Sequence, residues 1–117
     1  MDELFTISLL LDFYGQMITK RQYEILDLHY NNDYSLGEIA QELKISRQGV
    51  HDNIKRGKAS LYEMEQKLGL AARFQCQKAK ASEILKILQG IDINSLPPSD
   101  AENIEKAVQM VKSIMED

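Results

Sequence analysis

Two apolar segments separated by only two residues are the feature that most restricts how this chain folds. Ser35 and Glu38 have the spacing at which a serine side chain and a glutamate side chain cap a helix N-terminus reciprocally. Ser46 stands in the corresponding capping position before a second, longer segment. Because only Lys44 and Ile45 connect the two segments, the sequence predicts two helices that meet at a tight turn.

Each of these two predicted helices has one apolar face. In the first, Ile39, Ala40 and Leu43 lie at helical spacing. In the second, which runs from Arg47, the apolar or small positions recur every three or four residues and are Val50, Ile54, Gly57, Leu61, Met64 and Leu68. Gly57 costs about 1 kcal/mol of helix propensity relative to alanine, so we expect another helix to approach closely there.

The rest of the chain predicts four more helices and no sheet. Proline and glycine number only 2 and 6, and the composition favours helix-forming residues over aromatic ones. The predicted ranges are 2–14, 20–30, 70–89 and 99–115. Thr19 with Gln22, and Ser99 with Glu102, predict capping boxes. Gly15 is predicted as the residue that follows the first helix, and Gly69 as a break or kink after the long helix.

The expected fold is therefore an all-α bundle, built on a helix-turn-helix with a long second helix and additional C-terminal helices. We place a helix-turn-helix domain at residues 1–69 and a C-terminal helical extension at residues 70–117, where the apolar stripes of 74–88 and 104–115 can pair within one chain or between two. We therefore expect a homodimer. Nothing at the N-terminus resembles a targeting segment or a membrane span, and one cysteine, Cys76, suits a reducing compartment, so a cytoplasmic location is expected.

Charge is distributed unevenly along this acidic chain. The net charge is −4 overall, with −6 in residues 1–43, +4 in residues 44–58 and −2 in residues 59–117. The basic block coincides with the N-terminal half of the long helix of the helix-turn-helix. Because such a helix enters the DNA major groove in many helix-turn-helix proteins, the block predicts binding to double-stranded DNA.

The candidate DNA-binding residues lie in the turn and on the outward side of the long helix. They are Lys44, Ser46, Arg47, Gln48, His51, Lys55, Arg56 and Lys58. Arg47 and Gln48 have the donors and acceptors that read guanine and adenine, and His51 and Lys55 can contact bases or phosphates. The remaining cations are expected at phosphates, together with Ser46 and the helix N-terminus.

Residues 34–68 resemble region 4 of bacterial sigma factors in the pattern EIA, IS and V of residues 38–50. More of the chain resembles the YlxM family of helix-turn-helix proteins, through the stretches 9–22, 24–43 and 45–70. Genes of that family lie beside those of the signal recognition particle GTPase and its receptor, so the resemblance implies a regulatory role in that targeting pathway. Sigma region 4 usually has glycine where Lys44 stands, and residues before 20 leave no room for sigma region 2.

No constellation in the sequence predicts catalysis, a cofactor or a metal site. His29 and His51 are 22 residues apart and lack helix-spaced acidic partners, and no glycine-rich phosphate loop is present. We therefore expect a non-enzymatic protein. The alternative to a DNA-binding regulator is an adaptor that binds protein or structured RNA components of the signal recognition particle pathway with the same basic helix.

Overall fold

The structure, a computed structural model, describes residues 2–116 of the chain. In this part the chain forms six α-helices and no strands, as the sequence predicted. Their bounds are α1 Glu3–Tyr14, α2 Lys20–Leu26, α3 Leu36–Leu43, α4 Arg47–Leu68, α5 Leu70–Gln89 and α6 Pro98–Glu116. The helices divide into two compact units, one ending at Ala71 and the other starting at Ala72, whereas the predicted boundary followed residue 69.

Local capping chemistry sets where α2, α3 and α4 begin. The Thr19 hydroxyl accepts a hydrogen bond from the Gln22 amide at 3.1 Å, and the Gln22 side chain accepts one from the Thr19 amide at 3.2 Å. Ser35 and Glu38 form the same reciprocal pair at 3.1 and 3.0 Å. These two of the three predicted capping boxes are present, and each satisfies two amides that the first helical turn leaves without backbone partners.

The core of the first unit surrounds α4, which packs against α1, α2 and α3. The completely buried residues are Ile7, Ile25, Leu26, Ile39, Val50 and Leu61, and Tyr14 is 1% exposed. Leu68, predicted in the inward stripe, is instead 50% exposed, because the part of the core that α4 contacts ends near Met64. On α2, Tyr23 is 41% exposed, whereas Ile25 and Leu26 are buried.

Gly57 lies where α2 crosses α4. A Cβ atom at this position would lie 2.7 Å from Cδ1 of Leu26 and 3.5 Å from Cβ of Gln22. The expected close approach of another helix is therefore present. The contact explains why the stripe tolerates the poor helix propensity of glycine.

Gly15 does not have the conformation typical of a residue that follows a helix. Its φ of −59° and ψ of −28° are right-handed, and the chain continues into a short 3₁₀ turn, Gly15–Met17. The absence of a side chain is required for a different reason. A Cβ atom at Gly15 would lie 2.6 Å from Cε2 of Tyr23, whose ring covers this position.

A buried tyrosine joins α1 to the junction between α4 and α5. The Tyr14 hydroxyl donates to Glu65 Oε1 at 2.6 Å and accepts from the Leu70 amide at 3.1 Å. Glu65 Oε1 also accepts from the Ala71 amide at 3.1 Å. Burial, and then the hydrogen bond to Glu65, raise the pKa of Tyr14. Gly69 has the left-handed conformation between the two helices, with φ 64°, and confirms the predicted break.

In the second unit, α5 and α6 form a hairpin joined by residues 90–97, which contain a 3₁₀ turn at Ile93–Ser95. The predicted capping box of Ser99 and Glu102 is wrong, because α6 already begins at Pro98. The carbonyl of Pro97 accepts from the amides of Asp100 and Ala101 at 3.0 Å each. Proline suits a first helical position, since its φ is already helical and no amide is lost. No helix described has the length and apolarity to cross a membrane.

We expect Gly57→Leu to lower the free energy of unfolding by about 1–3 kcal/mol, because the new side chain overpacks the contact with Leu26. Gly37→Leu is the matched control, since a Cβ atom there would meet nothing nearer than 4.0 Å. Its effect should stay within about 0.5 kcal/mol. Urea denaturation of both variants measures the difference. Equal stabilities of the two variants would contradict a tight α2–α4 contact.

Candidate nucleic-acid interface

The turn between α3 and α4 places a lysine in a conformation that usually favours glycine. Lys44 has φ 58° and ψ 46°, in the left-handed region. The following residue, Ile45, donates its amide to the carbonyl of Ala40 at 3.1 Å and packs against the core. Lys44 therefore makes the turn that a glycine would make, with some conformational strain, and keeps a cationic side chain exposed beside the start of α4.

Ser46 begins α4 and is already engaged as its N-cap. Its hydroxyl oxygen accepts from the Gly49 amide at 2.9 Å, and its carbonyl accepts from the Val50 amide at 3.0 Å. A Cβ atom at Gly49 would lie 3.2 Å from the Ser46 hydroxyl oxygen. The cap thus fixes the first turn of α4, and the hydroxyl of Ser46 keeps its hydrogen to donate.

Three basic or polar side chains form a ridge along the outer surface of α4. Arg47, His51 and Lys55 are four residues apart, so they lie on one side of the helix, and all three are exposed. Arg47 extends beside the first turn of α3, with Nε 4.0 Å from where a Cβ atom of Gly37 would lie.

Gln48 and His51 share one acidic neighbour. Nε2 of Gln48 donates to Oδ1 of Asp52 at 3.1 Å, and Nδ1 of His51 lies 3.9 Å from the same oxygen. Both side chains of the His51–Asp52 pair are more than half exposed. Asp52 therefore orients Gln48 and also brings a negative charge next to the basic ridge.

Lys58 differs from the other candidate cations because an acidic residue already binds it. Its Nζ donates to Oε1 of Glu3 on α1, and the hydroxyl of Tyr30 donates to the same oxygen at 3.1 Å. The hydrogen bond from Lys58 is the main cause that lowers the pKa of Glu3. In turn, Glu3 raises the pKa of Lys58, whose side chain is 29% exposed. Any phosphate would compete with Glu3 for this ammonium group.

The remaining candidates are exposed without such a partner. The described structure gives no ion pair to Lys44, Arg47, Lys55 or Arg56. Arg56 lies one residue beyond Lys55 and so points away from the ridge by the 100° turn of a helix. The structure thus brings Arg47, His51, Lys55 and Gln48 to one surface, leaves Lys44 and Arg56 at its margins, and pairs Lys58 with α1.

Sequence reasoning missed two charge features. Glu3 and Lys58 are 55 residues apart, and no local spacing indicates such a pair. A second basic segment, α5, carries a net charge of +3, and averaging charge over residues 59–117 concealed it. Charge counted helix by helix finds α5. Among the residues described, no group of three or more His, Cys, Asp or Glu side chains is placed to hold a metal ion.

The capped α3, the left-handed turn and the long α4 with an exposed N-terminal half define a helix-turn-helix protein. Residues 1–95 match the model of the UPF0122 family, described as "Putative helix-turn-helix protein, YlxM / p13 like". The chain belongs to this family, as the resemblance in the sequence indicated.

Three bacterial relatives match this chain over almost their whole length. A UPF0122 protein of Acetivibrio thermocellus is 57% identical over 116 residues, which are 99% of each chain. One of Desulforamulus reducens is 38% identical over 99% of this chain and 96% of its own. One of Thermoanaerobacter sp. strain X514 is 42% identical over 98% of this chain and 96% of its own. The similarity therefore extends through α6, beyond the residues that the family model matches.

We expect Lys44→Gly to raise the free energy of unfolding by roughly 0.5–1 kcal/mol, because glycine has no steric cost at positive φ. Lys44→Ala is the control: it removes the same charge and keeps the strain, so it should bring no gain. Chemical denaturation followed by circular dichroism measures both. A gain that is equal in the two variants would mean that the lysine charge, and not the backbone strain, is destabilising.

Proposed function

We propose that the protein is a regulator that binds double-stranded DNA and that the N-terminal half of α4 enters the major groove. The observation that carries this proposal is the ridge of Arg47, His51 and Lys55, exposed on the second helix of a helix-turn-helix and without ion pairs for either cation. Phosphate binding requires a local cationic surface and not a basic protein, so the net charge of −4 is compatible with it.

The contacts divide by the chemistry of each side chain. Arg47 donates to O6 and N7 of guanine, and Gln48 recognises adenine once it leaves Asp52. His51 and Lys55 contact bases or phosphates one and two turns further along. Phosphate contacts fall to Ser46 with the N-terminus of α4, whose amides attract an anion, and to Lys44, Arg56 and Lys58.

The regulatory part of this proposal comes from the family resemblance. The gene neighbourhood of the YlxM family implies that the regulated system is the signal recognition particle pathway. A gene neighbourhood is an association and not a physical contact. The proposed link to this pathway is therefore tested by the DNA sequence that the protein selects. A selected sequence next to genes of that pathway is the expected result.

A second function, the adaptor, is favoured by the carboxylates around the same surface. Glu38 and Glu42 are exposed on α3, and Asp52 is exposed on α4. In a helix-turn-helix docked on DNA, the first helix crosses the sugar-phosphate backbone, where such side chains repel phosphate. This repulsion favours a protein component of the targeting machinery as the partner of the basic ridge over a structured RNA, whose phosphates the same carboxylates repel.

A DNA titration with sequencing of the bound fraction distinguishes the two functions. The complete protein is mixed with a random duplex pool at two salt concentrations. If the protein is a DNA-binding regulator, one sequence motif is enriched. Arg47→Ala then reduces the preference for that motif and costs about 1–3 kcal/mol of binding free energy. Arg56→Ala, at a position assigned to phosphate, should instead weaken every sequence similarly, and Lys20→Ala, on α2, is the control of equal charge.

The opposite result is weak binding that disappears by about 0.2 M salt with no enriched motif. It would mean that the basic surface only releases counterions from DNA, and it would overturn the DNA-binding regulator. If Arg47→Ala and Lys20→Ala lowered binding equally, the ridge would have no special position at the DNA, which also contradicts the proposal.

Asp52→Asn should raise the affinity for duplex DNA by roughly two- to tenfold at low salt, because it removes a carboxylate about 4 Å from groups that face phosphate. The gain should shrink as salt rises. Asp12→Asn is the control, since Asp12 is an exposed carboxylate on α1, close to Tyr14 and so to the opposite end of α4. Fluorescence anisotropy of a labelled duplex measures both. Equal affinities in the two variants would place Asp52 away from the DNA.

A further inference from the structure

The hairpin of α5 and α6 has almost no interior of its own. In residues 72–116, which the structure describes as the second unit, Ala81 at 5% exposure is the one residue that is fully buried. The inward side chains around it are only half-buried, and they are Phe74, Leu85, Leu88, Ile104, Val108, Val111 and Met115. Two helices alone cannot enclose such residues. The hairpin therefore packs like one half of a four-helix bundle.

Beside this inward seam the hairpin exposes a second set of apolar side chains. Ile84 and Ile87 lie three residues apart near the end of α5, and they are 48 and 66% exposed. On α6, Met110 and Ile114 are four residues apart and are 61 and 57% exposed. We call these four residues the isoleucine face.

The four residues lie on one side of the hairpin. The helices are antiparallel, since Ile114 lines the same surface depression as Phe74, and Ile104 shares another with Leu88. Ile84 is three positions after the inward Ala81, and Ile114 is likewise three positions after Val111 on α6. Because the helices run in opposite directions, this equal offset turns both side chains toward the same side. The face therefore crosses the hairpin diagonally, from Ile87 to Ile114.

Charge along the hairpin is bipolar. The open end, residues 72–83 and 108–116, has a net charge of +2, with Arg73, Lys78 and Lys80 among its cations. The loop end, residues 84–107, has a net charge of −2. Two such hairpins attract when they pack with opposite orientation, because each acidic end then lies against a basic end.

We infer that the protein forms a two-fold symmetric dimer through the isoleucine face, with two hairpins antiparallel in a four-helix bundle. A second copy fits this face because a two-fold interface requires a self-complementary surface. A diagonal apolar stripe centred near Ile84, with opposite charge at its two ends, has that property. An unrelated basic or acidic partner would match only one end. This dimer does not depend on DNA binding, so its test and the DNA titration fail independently.

Sedimentation of the complete protein between 1 and about 100 µM tests the interface. The wild type should be a dimer at micromolar concentrations, and Ile87→Glu combined with Ile114→Glu should be a monomer with unchanged helicity, because both positions are more than half exposed. The control combines Gln89→Glu with Gln109→Glu, which adds the same charge at exposed positions on the other side of the hairpin. A wild type that stays monomeric at 100 µM, or a dimer in which both double variants behave alike, overturns the inference.

Cys76 reports the orientation of the two hairpins. It is an exposed cysteine in a chain with one cysteine, so a nitroxide reagent adds one label per protomer. Cys76 lies eight residues from the centre of the face at Ile84. At 1.5 Å per residue, two labels in an antiparallel dimer are separated by about 24 Å along the helix axes. Electron–electron distance measurements should give this value or more, whereas labels within about 15 Å would mean parallel hairpins and overturn the antiparallel arrangement.

Discussion

The first unit depends on one helix, α4, that serves both as the centre of the core and as the support of the candidate interface. Val50, Ile54, Gly57 and Leu61 are buried against the three preceding helices. Because rotation about a helix axis is fixed at 100° per residue, burying these four residues also fixes the direction of Arg47, His51 and Lys55. Any shift of α4 that repacks the core therefore turns the ridge as well, so packing and recognition cannot vary independently.

Gly57 and Lys44 secure that rotation at two points. The contact of Gly57 with Leu26 sets how closely α2 approaches, and a larger residue would push α4 away from the body of the unit. Lys44 sets the angle at which α4 leaves α3, since its left-handed conformation closes the turn within two residues. The chain uses a residue with a conformational cost at the turn and gains a cation at that place. A residue with an unfavourable backbone conformation is often found where its side chain serves a functional site, and Lys44 lies beside the candidate interface.

Much of the fold followed from local chemistry in the sequence. The capping boxes of Thr19 and Ser35, the break at Gly69 and the need for space at Gly57 depend on neighbours within a few residues or on one stripe, and each was predicted. The errors at Gly15, Ser99 and Leu68 have other causes. Gly15 is required by the ring of Tyr23, the helix at Ser99 begins earlier because Pro98 already has helical φ, and Leu68 extends beyond the core.

For the candidate site, too, the sequence predicted the features that depend on local residues and missed those that depend on the folded structure. Its position followed from the helix-turn-helix spacing and the +4 charge of residues 44–58, both of which are local. Its electrostatics did not, because Glu3 reaches Lys58 only after α1 packs on α4, and because the link from Gln48 to Asp52 depends on side-chain rotamers. A charge count treats these cations as equal, whereas the folded unit leaves some exposed and pairs Lys58 with an acid.

The acidic neighbours of the ridge and the proposed dimer both bear on the affinity expected for the proposed DNA complex. In that complex Asp52 and Glu3 weaken the binding of one unit to a phosphate backbone, and the acidic body adds a longer-range repulsion that salt screens. When two weak units are joined, the second contact occurs at a high effective concentration, so a paired site gains far more than a single one. Weak individual units therefore favour discrimination: a sequence that engages both protomers is bound, and a random duplex that engages one is released. A stronger basic surface would raise both affinities and lose that difference.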